Sequence, residues 1–189
     1  MKQFKSFVAI ALAATIGLGF TSCKKDDPEP KPEPTPEVTY KFQNKIGFST
    51  ELVDCYDITV ELTGLDGKKT TTNIKDCPTE KYVEKGLEKE FTIYVFSKTE
   101  ETKTVPAETK LKVTYKYNGY VPTTEDVYMC IVPDFSVGAS APKTITNSRT
   151  FAIDEYDKLA DLAKTFEENY GTYNMNVAKD GTPSIKGGN

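Results

Sequence analysis

Tyr56-Asp57-Ile58-Thr59-Val60-Glu61-Leu62-Thr63 alternates apolar and polar side chains along its whole length. Strict alternation of this kind indicates a β-strand with one face in a core and the other in solvent. Gly64-Leu65-Asp66-Gly67-Lys68 follows directly, and Asp-Gly after an alternating run is a strong hairpin signal. Strand-favouring residues continue from Thr70 to Ile74. We therefore predict an antiparallel hairpin, and with it a mainly β fold.

The apolar pattern also predicts the register of this hairpin. A three-residue loop Leu65-Asp66-Gly67, with its glycine in the left-handed conformation, places Ile58 opposite Ile74. A two-residue Asp-Gly loop would instead place Ile74 opposite Thr59, on the wrong face. Because a slip of one residue turns every side chain to the other face, the three-residue loop is preferred.

The rest of the chain supplies further strand-like segments, at 38–48, 88–97, 111–117, 127–132 and 173–177. Segments 88–97 and 127–132 carry apolar residues on both faces, which suits central strands. Asn118-Gly119 is a second hairpin signal. Glu100–Lys103 is predicted to be a polar turn. Pro133 is predicted to end its strand, with a long loop over 134–148.

Residues 154–170 predict one amphipathic helix, with Asp154 as its N-cap and Gly171 at its end. Its core-facing residues recur at helical spacing: Tyr156, Leu159, Ala160, Ala163, Phe166 and Tyr170. The fold class predicted is mainly β, an antiparallel β-sandwich over residues 38–180 with this C-terminal amphipathic helix packed on it. A flexible tail is expected over 181–189.

The first 22 residues have the pattern of a cleaved export signal. A lysine-bearing start precedes an apolar run from Val8 to Phe20 and a small-residue exit. A membrane-spanning helix needs about 20 apolar residues, so this run is too short to span. Thr21-Ser22-Cys23 resembles the lipobox of bacterial lipoproteins, which implies a lipid on Cys23. An ordinary signal peptide with an incidental cysteine is the alternative.

Lys24, Lys25, Asp26 and Asp27 follow Cys23 directly. They resemble the acidic export signal of Bacteroidota-type surface lipoproteins. That resemblance implies a lipid anchor in the outer membrane, with the protein exposed at the cell surface. The alternative is a charged spacer on the periplasmic face of that membrane. In either case the membrane is a partner through the N-terminal lipid.

Residues 23–37 join this anchor to the folded domain. Alternating prolines from Asp27 to Glu37 favour an extended polyproline II rod. We interpret the segment as a stalk; a proline-rich ligand for another protein is the alternative. The strand rhythm over 38–177 resembles immunoglobulin-like and transthyretin-like modules of surface lipoproteins. The Cys…Trp…Cys spacing of true immunoglobulin domains is missing, so the topology stays open.

Three cysteines remain after Cys23, and three cannot all pair within one chain. The hairpin register places Cys55 opposite Cys77, and thiols outside the cytoplasm are oxidised by default. We therefore predict a Cys55–Cys77 disulfide, with Cys130 as a free buried thiol. Three reduced cysteines are the alternative.

Catalysis is not expected, because the chain has no histidine and so no His-dependent triad. Neither GxSxG nor a phosphate-binding glycine loop occurs. The acidic pairs, such as Glu100-Glu101 and Glu167-Glu168, fit turns and solvated faces.

No metal site or cofactor is predicted, since Asp154, Asp157 and Asp161 would lie along a helix and not around one point. A formal net charge of −4 with one arginine disfavours nucleic acid as a partner.

Tyrosines near Asn118-Gly119 are the candidate binding residues: Tyr117, Tyr120 and Tyr128. Rings at a strand end can stack on sugars or anchor a partner protein. Tyr115, and also Tyr117, fit a buried face equally well. The function predicted is a non-catalytic cell-surface lipoprotein that displays a glycan- or protein-binding module on a stalk. The alternative is a structural or accessory subunit of an envelope or pilus-like assembly. The sequence does not indicate an oligomeric state.

Overall fold

The computed structural model describes residues 37–123, 127–153 and 155–188. The predicted signal peptide, Cys23, the export signal and the stalk up to residue 36 lie outside these residues. The described chain forms, in order, β1 Tyr40–Ser49, α1 Thr50–Cys55, β2 Tyr56–Thr63, β3 Lys69–Asn73, β4 Thr79–Glu84, β5 Lys89–Thr102, β6 Ala107–Tyr117, β7 Val127–Gly138, β8 Lys143–Ile145, β9 Arg149–Ile153, α2 Leu159–Tyr170, β10 Thr172–Val177 and β11 Pro183–Gly187. Single 3-10 turns occupy Ile74–Asp76 and Tyr156–Lys158.

Two antiparallel sheets form a β-sandwich, which confirms the predicted fold class. Sheet A has the order β4-β5-β1-β7-β8, and β9 pairs with β7 beside β8. Sheet B has the order β11-β10-β6-β2-β3. The alternating apolar residues of both sheets meet between them, among them Phe42, Phe48, Ile58, Val113 and Phe135. Burial of these side chains is the main stabilising term of such a fold.

The β2–β3 hairpin has the predicted register. Val60 pairs with Thr72, and the loop lies between Gly64 and Lys68, whose backbones are hydrogen bonded at 3.0 Å. Gly67 has φ of +74°, a left-handed conformation that glycine adopts without a steric penalty. The ladder ends at Thr59 and Asn73, because the chain then enters the 3-10 turn.

The predicted Cys55–Cys77 disulfide is not present, because the pairing of β2 with β3 ends at Thr59 and Asn73, before it reaches the cysteines. Cys55 is the last residue of α1, and Cys77 follows the 3-10 turn Ile74–Asp76. The Asn73 side chain accepts a hydrogen bond from the Lys75 amide at 3.0 Å and so caps that turn. Cys55, Cys77 and Cys130 are all free thiols. The prediction that Cys130 is free and buried is confirmed.

Asn118-Gly119 forms a turn but not a hairpin, which corrects the prediction. Gly119 has φ of +89°, and the Asn118 side chain accepts from the Tyr120 amide at 2.9 Å. The strands on either side, however, belong to different sheets, since β6 lies in sheet B and β7 in sheet A. The Asn118 backbone and side-chain N–H groups donate to the carbonyls of Cys55 and Asp54, at 3.0 and 2.8 Å. The turn therefore joins the sheets beside α1.

Strands β5 and β7 are longer than predicted. Strand β5 continues through the expected turn Glu100–Lys103, where Glu100 pairs with Phe42 of β1. Strand β7 runs through Pro133 to Gly138, so its end and β8 occupy part of the loop expected over 134–148, and β9 follows directly after it. Pro133 is tolerated because β8 ends at Ile145, the partner of Phe135, and β9 begins only at Arg149, the partner of Ile131. The outer edge of β7 is thus interrupted where proline would remove a hydrogen bond.

The predicted helix is present as α2, preceded by the 3-10 turn; its predicted cap, Asp154, lies outside the described residues. Phe166 lies between the sheets, with ring centroids 5.5 Å from Tyr56 of sheet B and 5.1 Å from Phe151 of sheet A. The helix also covers the part of β6 beyond β10. There the Val113 amide donates to the Gly171 carbonyl at 2.9 Å. The Tyr115 amide also donates to the Glu167 carboxylate of α2 at 3.2 Å, so the helix and its C-cap Gly171 satisfy backbone groups of β6 that would otherwise lack partners.

The expected flexible tail over 181–189 is instead strand β11, which pairs with β10 from Pro183 to Gly187. The turn before it resembles the β2–β3 loop. Gly181 has φ of +81°, and the Asp180 carboxylate accepts from the Thr182 amide at 3.0 Å. The folded domain therefore extends past residue 180.

Sheet A carries a second apolar cluster on its outer face, formed by Phe91, Ile93, Val95 and Cys130. This explains why segments 88–97 and 127–132 are apolar on both faces. The two edges of sheet A meet beside this cluster, where Ser148, between β8 and β9, donates to Glu84 of β4 at 2.6 Å. That bond lowers the pKa of the Glu84 carboxyl.

Candidate functional site

The domain has two distinct poles, defined by the direction of β1. This strand begins at Tyr40 and ends at Ser49, and ten residues at about 3.3 Å each span roughly 30 Å. The near pole consists of residues 37–39 and the 178–182 turn, where Gly181 approaches the Tyr40 hydroxyl. The distal pole consists of α1, residues 118–123 and residues 83–88 around the β4–β5 turn. The described chain begins at residue 37, at the near pole, so the distal pole is the opposite end of the folded domain.

Local hydrogen bonds explain how the distal elements are positioned. Helix α1 begins at Ser49, whose hydroxyl accepts from the Leu52 amide at 3.4 Å and from the Cys130 amide at 3.0 Å. The bonds of Asn118 fix residues 118–123 against this helix. Strand β5 pairs with Ser49 at Ile93, so Lys89 and the turn before it lie beyond the end of β1.

Exposed apolar side chains concentrate at the distal pole. Val83, Leu87, Tyr120 and Val121 have exposed fractions of 46–54 %. In the part of the chain that the structure describes, Val38 at the near pole is the one other large apolar residue in this class, at 49 %. Exposed apolar residues grouped at one end are typical of a surface that contacts another molecule.

A small acidic cleft lies at the same pole. Glu51 and Asp54 of α1 line it together with Tyr120, Pro122 and Val127, and its volume is about 110 Å³. The two carboxylates are three residues apart on the helix and so share a face. Small-molecule sites usually enclose about 300–1,000 Å³. The cleft is therefore a notch for one side chain or sugar edge and not an enclosed substrate site.

The structure does not bring the three predicted tyrosines together. Tyr117 is half-buried against the core, with its ring centroid 5.9 Å from that of Tyr56. Tyr128 is half-buried on the outer face of sheet A, where the Lys89 ammonium lies 4.0 Å from its ring centroid. Tyr120 is exposed at the acidic cleft. Tyr115 is buried, as its place on the apolar face suggested.

Sequence reasoning missed the contribution of the β4–β5 turn. Val83 lies in edge strand β4, and Leu87 follows Gly86 in a turn whose Leu87 amide donates to the Glu84 carbonyl at 3.1 Å. Both apolar residues are surrounded in the sequence by lysine and glutamate, Glu84-Lys85-Gly86-Leu87-Glu88. A single leucine inside a charged turn is the feature of the sequence that could have indicated an exposed apolar residue here.

The buried thiols of Cys55 and Cys130 are unsuited to nucleophilic chemistry. Burial raises the pKa of Cys55 to about 11, and the Asp54 carboxylate adds to this shift. Burial likewise raises the pKa of Cys130 to about 11, partly offset by a hydrogen bond from Thr150. Both thiols are therefore protonated at neutral pH, and a protonated thiol is a poor nucleophile.

Metal ligands do not cluster in the described segments: they contain no group of three or more Cys, Asp or Glu side chains able to hold a metal ion. Helices long and apolar enough to cross a membrane are also missing from those segments. Comparison of the chain with protein-family models, curated proteins and solved structures finds no match.

Proposed function

We propose that this protein is a non-catalytic lipoprotein, anchored in the outer membrane through Cys23 and exposed at the cell surface, that binds a protein or glycan through its distal pole. The observation that supports this proposal most is the polarity of the domain. The described chain begins at the near pole, whereas four of the five large exposed apolar side chains in the described residues lie at the distal one. A Bacteroidota-type export signal at Lys24–Asp27 is part of the same proposal.

The distal pole suits a protein partner better than a sugar. Apolar anchors surrounded by charged residues are the usual composition of a protein interface. Val83, Leu87 and Val121 are aliphatic, and Tyr120 is the single exposed ring among the four. The acidic pair Glu51 and Asp54 beside Tyr120 favours a partner that offers a lysine or arginine at this point.

The alternative role, as a subunit of a pilus-like assembly, needs a sheet edge that accepts a partner's strand. Edge strands β3, β4 and β11 have five or six residues each and carry Lys69, Lys81 and Lys186. Short edges with lysines oppose strand addition. These edges favour the binding module over the assembly subunit.

Site-specific cross-linking in intact cells tests the proposal. A photoreactive amino acid replaces Leu87 or Tyr120 at the distal pole, and Val38 at the near pole serves as the control with matched exposure. We expect a discrete cross-linked product from the two distal positions and none from position 38. A product from position 38 alone would place the interface at the wrong pole. A glycan array tests whether the ligand is a sugar. If the distal pole binds a glycan, Tyr120→Ala should bind it more weakly than the wild type.

A further inference from the structure

The outer face of sheet B carries a polar groove that the distal pole does not use. It consists of two adjoining clefts of about 540 and 430 Å³, which share Glu108 and Asn176 in their walls. The larger cleft continues toward the β2–β3 loop, where Leu65 and Pro106 contribute apolar walls. Both volumes fall within the range of about 300–1,000 Å³ that is usual for ligand sites.

The alternation of three neighbouring strands builds the floor of this groove. Thr109, Leu111, Tyr173 and Met175 are buried in the core, so the residues between them point outward. Strand pairing then aligns the outward residues in two rows across β6, β10 and β11. One row is Lys110–Asn174–Lys186, and the other is Glu108–Asn176–Ser184.

The two lysines of the first row have no anionic partner of their own. Within the described residues no carboxylate lies within 4.0 Å of either ammonium group, whereas Lys69 of the same sheet pairs with Glu61 at 3.0 Å. Lys110 and Lys186 flank Asn174 on the neighbouring strands, and two interstrand spacings separate their backbones by about 10 Å. The groove thus offers two positive charges at a fixed separation, with an amide between them.

We infer that this groove binds an anionic oligosaccharide, one that carries carboxylate or sulfate groups. The ammonium groups of Lys110 and Lys186 pair with the anionic groups. The side chains of Asn174, Asn176 and Ser184 donate to and accept from ring hydroxyls. Leu65 and Pro106 contact the apolar faces of the sugar rings. The residues lining the groove include no aromatic ring on which a nucleic-acid base could stack.

Glu108 gives a prediction of opposite sign. Its carboxylate lies in the groove and repels an anionic ligand. Removal of this charge should strengthen binding, and an effect of that sign is not expected from general damage to the surface. The inference is independent of the distal interface, since none of its residues lies at the distal pole.

Isothermal titration of the full mature protein in detergent micelles tests the inference. The probes are a galacturonate oligosaccharide, a heparin-derived oligosaccharide, a neutral maltooligosaccharide of equal length and poly-glutamate. We expect the first or second probe to bind, which distinguishes carboxylate from sulfate, and the neutral probe to bind at least about tenfold more weakly. Failure of both anionic sugars at low salt, or tighter binding of poly-glutamate, would overturn the inference.

Matched variants separate the groove from net charge. K110Q/K186Q should weaken binding about tenfold or more, and N174A should weaken it without any change in charge. K41Q/K98Q removes two exposed lysines of sheet A and should leave affinity unchanged. E108Q should tighten binding, and E101Q on sheet A is its control. If K110Q/K186Q and K41Q/K98Q lowered the affinity for the oligosaccharide equally, binding would depend on net charge and not on the groove, and the inference would be contradicted.

Discussion

The Tyr56 hydroxyl donates a hydrogen bond of 2.7 Å to the carbonyl of Leu159, a residue 103 positions later in the chain. Tyr56 is the first residue of β2, and Leu159 is the first residue of α2. Both are fully buried. This bond joins sheet B to the start of the only long helix of the described residues, and Phe166 packs against the same tyrosine ring.

Tyr56→Phe should therefore destabilise the domain by about 1 kcal/mol, because it removes this buried hydrogen bond to the Leu159 carbonyl. Tyr115→Phe is the matched control. The Tyr115 hydroxyl is buried without a hydrogen-bond partner among the described residues, so its removal should be neutral or stabilising. Urea unfolding of both variants measures the difference. If Tyr115→Phe lowered the free energy of unfolding more than Tyr56→Phe, the assignment of the buried hydrogen bond to Tyr56 would be wrong.

Alkaline pH should destabilise the fold, because buried tyrosine and cysteine side chains are neutral in it. Burial raises the pKa of Tyr56, Tyr115 and Tyr173, and the pKa of Cys55 and Cys130 rises to about 11. These groups favour the fold in their neutral form. Their contribution is complete below the ordinary pKa values of about 8.5 for cysteine and about 10 for tyrosine. It is lost as pH rises through the folded values.

Urea unfolding at about pH 7 and about pH 10.5 should show a lower free energy of unfolding at the higher pH. Tyrosinate absorbance should rise in two steps, with the buried rings ionising only as the domain unfolds. A single step near pH 10 with native circular dichroism throughout would show that these rings are accessible.

The three thiols should differ in reactivity. Cys77 is partly exposed, whereas Cys55 and Cys130 are buried. Alkylation of native protein at about pH 8 should therefore modify Cys77 first, and denaturant should release Cys55 and Cys130. Mass spectrometry of the peptides gives the order. A peptide that joins Cys55 to Cys77 in non-reduced protein would restore the disulfide that the structure does not form.

Two loop glycines form a matched pair. Gly67 has φ of +74°, and an added Cβ would contact nothing within 4 Å, so Gly67→Ala isolates the conformational penalty. We expect a loss of about 1–2 kcal/mol. Gly86 is equally open and is outside the left-handed region. Gly86→Ala should be neutral or slightly stabilising, because it restricts the unfolded chain. Equal melting temperatures for the two variants would refute the turn geometry.

Local patterns predicted the strands well and the tertiary connections poorly. The Asp66-Gly67 turn and its register were predicted because alternating runs flank it. The same chemistry at Asp180-Gly181 was missed, since only half-buried residues follow it in β11. Asn118-Gly119 has the conformation that its sequence indicates. A turn signal does not say which sheet the next strand enters, so the crossing from sheet B to sheet A could not be read from it.

The candidate site was predictable only in part, for the same reason. Tyr120 lies past a turn, which left both a buried and an exposed position open, and the structure shows it exposed. Tyr128 was placed with it by sequence proximity, yet strand alternation turns it to the outer face of sheet A beneath Lys89. Leu87 reaches the distal pole because β5 extends past the end of β1, and that stagger depends on pairing between distant segments.

Protease treatment of intact cells tests the central claim most directly. A surface-anchored protein should lose its folded domain to added protease while periplasmic markers stay intact. Cys23→Ala should remove the protein from the membrane fraction. Full protection of the wild-type domain in intact cells, or membrane retention of the Cys23→Ala variant, would contradict a lipid-anchored protein that presents its distal pole to the exterior.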